Sequence, residues 1–461
     1  MSTDLAGNPV SAVMSAPPLP GLSPLPNLGM PDPGMALIPP IPETVEETGL
    51  SAAFIEQLLL KMLYFRGEML GRDLATAIAL KFSIIEGILE PLKRLQIVQV
   101  KRSLGMGNLS GVFALSESGR GYAREHLETN QYTGPAPVPL EQYAFLARRQ
   151  RLQEGWLSMD RLAKAYNKMV LSPEVLGQIG PAVSSGNSFL IYGQPGNGKT
   201  FLAEALVNLD CSYIYLPYAI ESQGMIVQLF DPLFHHPVDE AASISAISFE
   251  PQHDRRWFKT RRPFIVSGGE LTLEMLDLSY NATSKVYDAP FHLKASNGIY
   301  LIDDFGRQRC TPAEVLNRWI VPMERRVDYL SFRTGGKMTV PFESFLVFST
   351  NLKPEQLGDE AFLRRIQYKM HLRSPSIEEF LEIFHRFCDS KGLVCPPLLA
   401  ERFVEKRYLK TGKAFRRCQP RDVLSHAINL IHFEKLPFEL TEELLDRAFE
   451  SCFVQVDESD L

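Results

Sequence analysis

Apolar residues recur every three to four positions where the chain first becomes patterned. Phe54, Leu58, Leu59, Met62 and Leu63 fall on one helical face, and Ser51 supplies the cap. A short second helix is expected over 72–78. A third covers 83–95, with Ile85, Ile88, Leu89, Leu92 and Leu95 on one side. Pro91 lies inside it and predicts a kink or an early end, because proline removes a backbone donor. The pattern then changes. Residues 97–100 and 112–115 read as strands joined by a turn at 104–108, and 116–128 returns to helix. Later runs are apolar throughout: 188–192, 299–302 and 345–348. Such runs suit parallel strands covered on both faces. Residues 329–333 and 337–340, around Gly335-Gly336, read as a further hairpin.

The helices and hairpin of 50–130 resemble, in order and spacing, a winged helix-turn-helix domain. That resemblance admits DNA or protein as partner. Glu86 and Glu90 on the third helix would repel phosphate; Lys93, Arg94, Lys101 and Arg102 would attract it. The acids favour a protein contact, with DNA binding through 50–130 as the alternative. Residues 1–46 are rich in Pro, Gly and Ala and predict a disordered, polyproline-like tail. Residues 131–170 are expected to be a linker, around Gly134-Pro135-Ala136-Pro137, and a helix. Arg148, Arg149 and Arg151 are placed on its solvated face.

Composition narrows the class. The chain has 461 residues, enough for about three domains. Net charge is −6, so the surface as a whole does not advertise nucleic-acid binding. Six cysteines (Cys211, Cys310, Cys388, Cys395, Cys418, Cys452) form no Cys-x-x-Cys pair, which fits reduced thiols better than a disulfide framework or zinc. No apolar run approaches the ~20 residues of a spanning helix. With no secretory signal either, the expectation is a cytoplasmic protein without membrane contact.

The chemistry concentrates at Gly193-Gln194-Pro195-Gly196-Asn197-Gly198-Lys199-Thr200, between an apolar strand and a helix beginning with Phe201. This is a phosphate-binding loop in the context it requires. Gly193, Gly196 and Gly198 let backbone N–H groups curl around an anion, and Pro195, Asn197 and Phe201 complete the nucleotide-binding set. Lys199 would reach the β- and γ-phosphates of ATP, and the Thr200 hydroxyl would hold Mg²⁺. The strand 299–302 ends in Asp303-Asp304. Asp303 is the second candidate Mg²⁺ ligand, and Asp304 the candidate to polarise the attacking water. The strand 345–350 ends at Asn351, placed to bond the water and the γ-phosphate.

Phosphate loop, paired acids and polar strand end, in that order, resemble an AAA+ ATPase over 171–453. The resemblance implies a P-loop α/β core with a parallel central sheet at 171–373 and a helical lid at 374–453. It also implies ATP hydrolysis with Mg²⁺ and a homo-oligomer, expected to be a hexameric ring. The segment 360–366 is similar to the one carrying the arginine finger, so Arg364 or Arg365 would reach the neighbouring subunit; Arg365 is preferred. Gln419-Pro420-Arg421 is similar to the start of the lid helix whose arginine, here Arg421, contacts phosphate. The hairpin at 329–340 resembles the pre-sensor insertion of the branch holding MoxR-type chaperones, enhancer-binding activators and replicative helicases. A Gly-Ala-Phe-Thr-Gly-Ala loop is lacking, which argues against an activator. A MoxR-like remodeller of a protein client is the leading expectation. The alternatives are a DNA-binding ATPase and a slow-hydrolysing nucleotide switch.

Two features depart from the pattern. The second acid is usually Glu; Asp304 is one methylene shorter, which puts turnover rather than binding in question. Lys199 and Asp303 lie 104 residues apart, so about 211–290 must hold an added element. That insertion contains Arg255-Arg256-Trp257-Phe258-Lys259-Thr260-Arg261-Arg262, expected at a subunit interface or substrate loop, or alternatively on nucleic acid. His235, His236 and His253 are expected at the surface. Residues 454–461 read as a tail.

Overall fold

The computed structural model describes residues 38–105, 107–152, 156–209, 212–238, 253–358 and 360–453. Most of the expected N-terminal tail, Met106, Cys211, part of the insertion and the tail 454–461 lie outside these residues. Within the described part the ordered chain begins earlier than expected. The Asp254 N–H donates to the Pro39 carbonyl at 3.0 Å, and Pro42 is buried.

The N-terminal unit runs α1 (Val45–Thr48), α2 (Ala52–Arg66), β1 (Met69–Leu70), α3 (Gly71–Ile78), α4 (Phe82–Arg94), β2 (Val98–Ser103), β3 (Gly111–Leu115) and α5 (Glu117–Thr129). Ser51 caps α2 by accepting from the Phe54 N–H. α4 continues through Pro91 to Arg94. Pro91 and Gly87, whose carbonyl loses its partner, are both exposed, so water can take the missing bond. Leu95, expected on the apolar face, is the C-cap and is 69% exposed. β3 lies between β1 and β2 in an antiparallel sheet.

Next come β4 (Val138–Pro139), α6 (Leu140–Arg149), α7 (Met159–Ala165), α8 (Pro173–Ser185), β5 (Ser188–Tyr192) and α9 (Lys199–Ala205). The supposed linker is docked: the Ala136 N–H donates to the Ile78 carbonyl at 2.7 Å, and Ala136 and Val138 are buried. The insertion holds β6 (Tyr213–Pro217), β7 (Ala219–Ser222), β8 (Met225–Gln228), β9 (Trp257–Arg261), β10 (Phe264–Ser267), β11 (Ser279–Asn281) and β12 (Val286–Asp288). Four of these strands join β4 in an accessory sheet, in the order β11-β12-β8-β7-β4. Ala219, Ile226 and Val286 of this sheet share one apolar core with Leu58, Leu89 and Phe113. Burying that common surface joins the N-terminal unit to the insertion.

The remaining elements are α10 (Phe291–Lys294), β13 (Ile299–Ile302), α11 (Pro312–Arg318), α12 (Ile320–Arg325), β14 (Val327–Ser331), β15 (Lys337–Pro341), β16 (Phe345–Thr350), α13 (Glu360–Leu363) and β17 (Tyr368–His371). The central sheet is parallel throughout, in the order β10-β13-β16-β5-β17. β10, from within the insertion, is therefore a core strand. Phe189 and Ile191 enter the core on one face of the sheet and Leu190 the core on the other. Two covered faces explain the unbroken apolar run. Four helices close the chain: α14 (Ile377–Lys391), α15 (Leu399–Val404), α16 (Gln419–Glu434) and α17 (Glu442–Cys452). They pack around Phe380, Phe384, Tyr408, Leu424 and Phe449. Among the described residues, no helix is long and apolar enough to cross a membrane.

Candidate functional site

The loop after β5 opens at the C-terminal ends of the parallel strands, where α/β sheets host ligands. Its shape requires glycine at two places. Gly193 has φ 151°, and a Cβ there would lie 2.4 Å from the Leu372 carbonyl oxygen. Gly196 has φ 79°, and its Cβ would lie 2.7 Å from Cys418 Sγ of the helical unit. The Cys418 N–H donates to the Gly196 carbonyl at 2.9 Å, so that unit rests directly on the loop.

The polar strand ends converge here. The Thr200 hydroxyl donates to Asp303 Oδ2 at 2.9 Å. Lys199 Nζ donates to Asn351 Oδ1 at 2.6 Å and to the Gly193 and Gln194 carbonyls, each at 3.1 Å. Asn351 Nδ2 in turn donates to Asp304 Oδ1 at 3.1 Å. Asp304 stands at φ 49°, a left-handed conformation that turns the chain sharply after β13. Burial pushes the Lys199 ammonium below its ordinary pKa, and Asp304 and Asp303 oppose that shift. Among the described residues no carboxylate is ion-paired with Lys199. A buried cation bonded to three neutral oxygens is suited to receive an anion.

A cleft of about 970 Å³ opens over these groups. Pro195, Gly196, Asn197, Gly198, Thr200 and Phe201 form its loop side, together with Lys199, Asp303, Asp304 and Asn351. Phe201 is 49% exposed. Arg421 lines the cleft and pairs with the adjacent Asp422 at 3.1 Å. Arg364 and Arg365 are not among the lining residues. Arg365 Nε contacts Glu324 at 3.0 Å, whereas Arg364 is exposed.

Several lining groups escaped the sequence reading. A strap of Asn167, Lys168, Met169 and Val170 faces Ile383 and Phe387 of α14 across the cleft. Arg386 Nη1 donates to the Asn167 carbonyl at 3.0 Å, and Arg417 Nη1 donates to the Val170 carbonyl. Arg417 also meets Glu379 at 2.8 Å. Two arginines thus tie the helical unit to the strap. Arg416-Arg417 beside Gln419-Pro420-Arg421 was the available signal; the strap carries none.

Other expectations fail because apparent surface groups are buried. Arg256 is 2% exposed, paired with Asp254 at 2.8 Å and donating to the Thr48 carbonyl at 2.7 Å. Trp257, Phe258 and Thr260 are buried where β9 pairs with β6. Arg256, Trp257, Phe258 and Thr260 are thus satisfied within the chain, whereas Arg255 and Arg261 stay exposed. His235 is also buried: the Asp231 N–H donates to its Nδ1 at 3.0 Å, and Nε2 lies 2.9 Å from the Lys294 carbonyl. His253 is buried against Tyr215. In the N-terminal unit Lys93 pairs with Glu90 at 2.7 Å, and Asn108 Nδ2 donates to Glu86 at 2.8 Å and Glu90 at 3.0 Å. One of the basic groups considered for DNA is thereby neutralised.

The fold and the loop together define a phosphate-loop α/β module with a helical unit resting on its cleft. A domain of unknown function (DUF8689) matches residues 376–451, which is this helical unit. No curated protein matches the chain. Among solved structures, NtrX from Brucella abortus is 14% identical, with 63% of this chain and 57% of that chain covered and a TM-score of 0.38. NtrX from Brucella abortus in complex with ATP is 14% identical, covering 68% and 61%, with a TM-score of 0.36. The Thermotoga maritima RuvB Holliday junction branch migration motor is 14% identical, covering 68% and 75%, with a TM-score of 0.32. This chain thus spans less than two thirds of either NtrX chain. Likenesses this distant carry no weight for function.

Proposed function

We propose that the protein is a Mg²⁺-dependent ATPase of the AAA+ type that assembles with copies of itself and remodels a protein client. The observation carrying this reading is the bond between Thr200 and Asp303, beside the chain Lys199–Asn351–Asp304 at the mouth of the cleft. The positive φ of Gly193, Gly196 and Gly198 suits a loop whose backbone N–H groups face an anion, and among the described residues Lys199 has no paired carboxylate. The Thr200 hydroxyl and Asp303 carboxylate are the hard oxygen donors Mg²⁺ prefers. Bound Mg²⁺ would neutralise negative charge on the phosphates.

The chain's own groups divide the remaining work. Lys199 exchanges Asn351 Oδ1 for phosphate oxygen. Asn351, released, orients water, and Asp304 accepts its proton. Arg421 reaches the phosphates from the helical unit. Arg364, exposed, is assigned as the arginine offered to a neighbouring copy, since Arg365 already meets Glu324. The half-buried acids of α4, Glu86 and Glu90, and the net charge of −6 support a protein rather than DNA as client.

ATP turnover and client capture test the reading together. The wild-type chain should hydrolyse ATP with Mg²⁺, and Asp304→Asn should bind ATP without turnover and retain protein clients. Absence of nucleotide affinity refutes it. Tight binding with negligible wild-type turnover, rescued by Asp304→Glu, would instead identify a slow switch.

A further inference from the structure

The hairpin β14–β15 plays no part in the cleft, yet both of its feet stand on elements leading from it. Asp328, near the start of β14, is buried and accepts from Arg318 Nη1 at 2.6 Å and Nη2 at 3.0 Å. His292 Nε2 lies 2.8 Å from the same carboxylate. Burial opposes ionisation of Asp328, but His292 and Arg318 hold its carboxyl down to about 2. Arg318 belongs to α11, and the turn before α11 carries the site acids. There Gln308 Nε2 donates to the Asp303 carbonyl at 2.8 Å and the Asp304 carbonyl at 3.3 Å. The other foot, Pro341, continues through Phe342 into β16, which ends beside Asn351.

The tip closes on the accessory sheet. The Phe332 ring lies 5.0 Å from that of Tyr287, and Phe332 is 3% exposed. The Arg333 N–H donates to Tyr287 Oη at 3.0 Å, and its guanidinium lies 5.5 Å from the Tyr280 ring centre. Gln223 Nε2 donates to the Lys337 carbonyl at 2.8 Å, and the Ser331 N–H to Asp277 Oδ1 at 3.2 Å. Tyr280 and Tyr287 lie in the sheet that shares its core with the N-terminal unit, and Gln223 in the turn joining its strands β7 and β8.

We propose that the β14–β15 hairpin is an internal coupling arm that passes the nucleotide state of the Lys199 cleft to the accessory sheet and the N-terminal unit. The inference rests on the nucleotide-binding reading above. A paired ribbon fixed at both feet carries a shift of either foot to its tip, because packed contacts re-seat rather than stretch. At the tip Phe332 is covered by the chain itself, while Arg333, Thr334 and Gly335 stay exposed.

Amide hydrogen exchange on the full chain, with and without a non-hydrolysable ATP analogue and Mg²⁺, tests the arm. In the wild type, nucleotide should change exchange in 219–228 and 279–288. The Gln223→Ala, Arg333→Ala double variant alters exposed side chains; it should bind nucleotide with unchanged affinity and lose that distant response. Tyr280→Ala, which removes the ring under Arg333, should lose it likewise and serves if the double variant does not fold. Wild-type binding without a response in 219–228 and 279–288, or a response surviving in the variants, overturns the arm alone. A calorimetric titration showing no nucleotide binding overturns both the arm and the reading beneath it.

Discussion

The Thr200 hydroxyl meets Asp303 Oδ2 at 2.9 Å across 103 positions of sequence. That bond joins the phosphate loop to the end of β13, and places the two proposed Mg²⁺ ligands on one side of the cleft. Thr200→Val keeps the volume and removes the oxygen. It should leave the fold intact and abolish the Mg²⁺ dependence of nucleotide affinity, checked by calorimetry with and without the metal.

Lys199 is the buried cation at the centre of the loop. Lys199→Ala should weaken nucleotide binding by about 100-fold, the loss of a charge-assisted hydrogen bond worth ~2.7 kcal/mol. Fluorescent-nucleotide titration measures it; an unchanged Kd would remove Lys199 from the site.

Gly196→Ala probes the seat of the helical unit. The new Cβ would stand 2.7 Å from Cys418 Sγ at a backbone φ of 79°. Nucleotide affinity should fall, and protection of the 419–434 amides should fall with it. Pairing the change with Cys418→Gly should recover part of the loss by removing the clash, though not the backbone strain.

Arg364 and Arg365 separate by their partners. Arg364→Ala should cut kcat by about 10³-fold at concentrations where the chain assembles, without altering nucleotide affinity. Arg365→Ala breaks the partly exposed contact with Glu324 and should cost under ~1 kcal/mol of stability. The reverse pattern in steady-state kinetics would exchange their roles.

Lys61 gives a pH signature outside the cleft. It is 2% exposed, and its Nζ donates to Asn130 Oδ1 at 2.5 Å. Burial pushes its ammonium down to about 8 from 10.5. Below pH 8 both folded and unfolded chains hold the proton, and the full burial cost is present. Between about 8 and 10.5 the unfolded chain holds more protons, so stability rises with pH. Relative to Lys61→Met, the wild type should gain on the order of 3 kcal/mol across that window in urea unfolding.

The chemistry was legible because it is local. A glycine turn, a Lys-Thr pair and acids at the end of an apolar run state their geometry within a few residues. Asp304 announced itself the same way, as a shorter acid than the resemblance leads one to expect. The buried strands were equally plain, since Phe189, Leu190 and Ile191 must each find an apolar neighbour on one face or the other. Arg256 and His235 misled for the converse reason. A charged or polar letter reads as exposed until the chain brings it a partner, and one partner of each, Thr48 and Lys294, lies far away in sequence.

The sequence by itself determined the phosphate loop, the acids and Asn351 at the strand ends, and the separate helical unit at the C-terminus. Each follows from periodicity and turn chemistry acting over short spans. Only the tertiary structure decided that β4, β7, β8, β11 and β12 form one sheet, that the hairpin tip rests on it, and that Arg386 and Arg417 grip the strap over the cleft. Those contacts unite segments whose nearness is bought by burying shared apolar surface, and no local pattern records which distant surface will be shared.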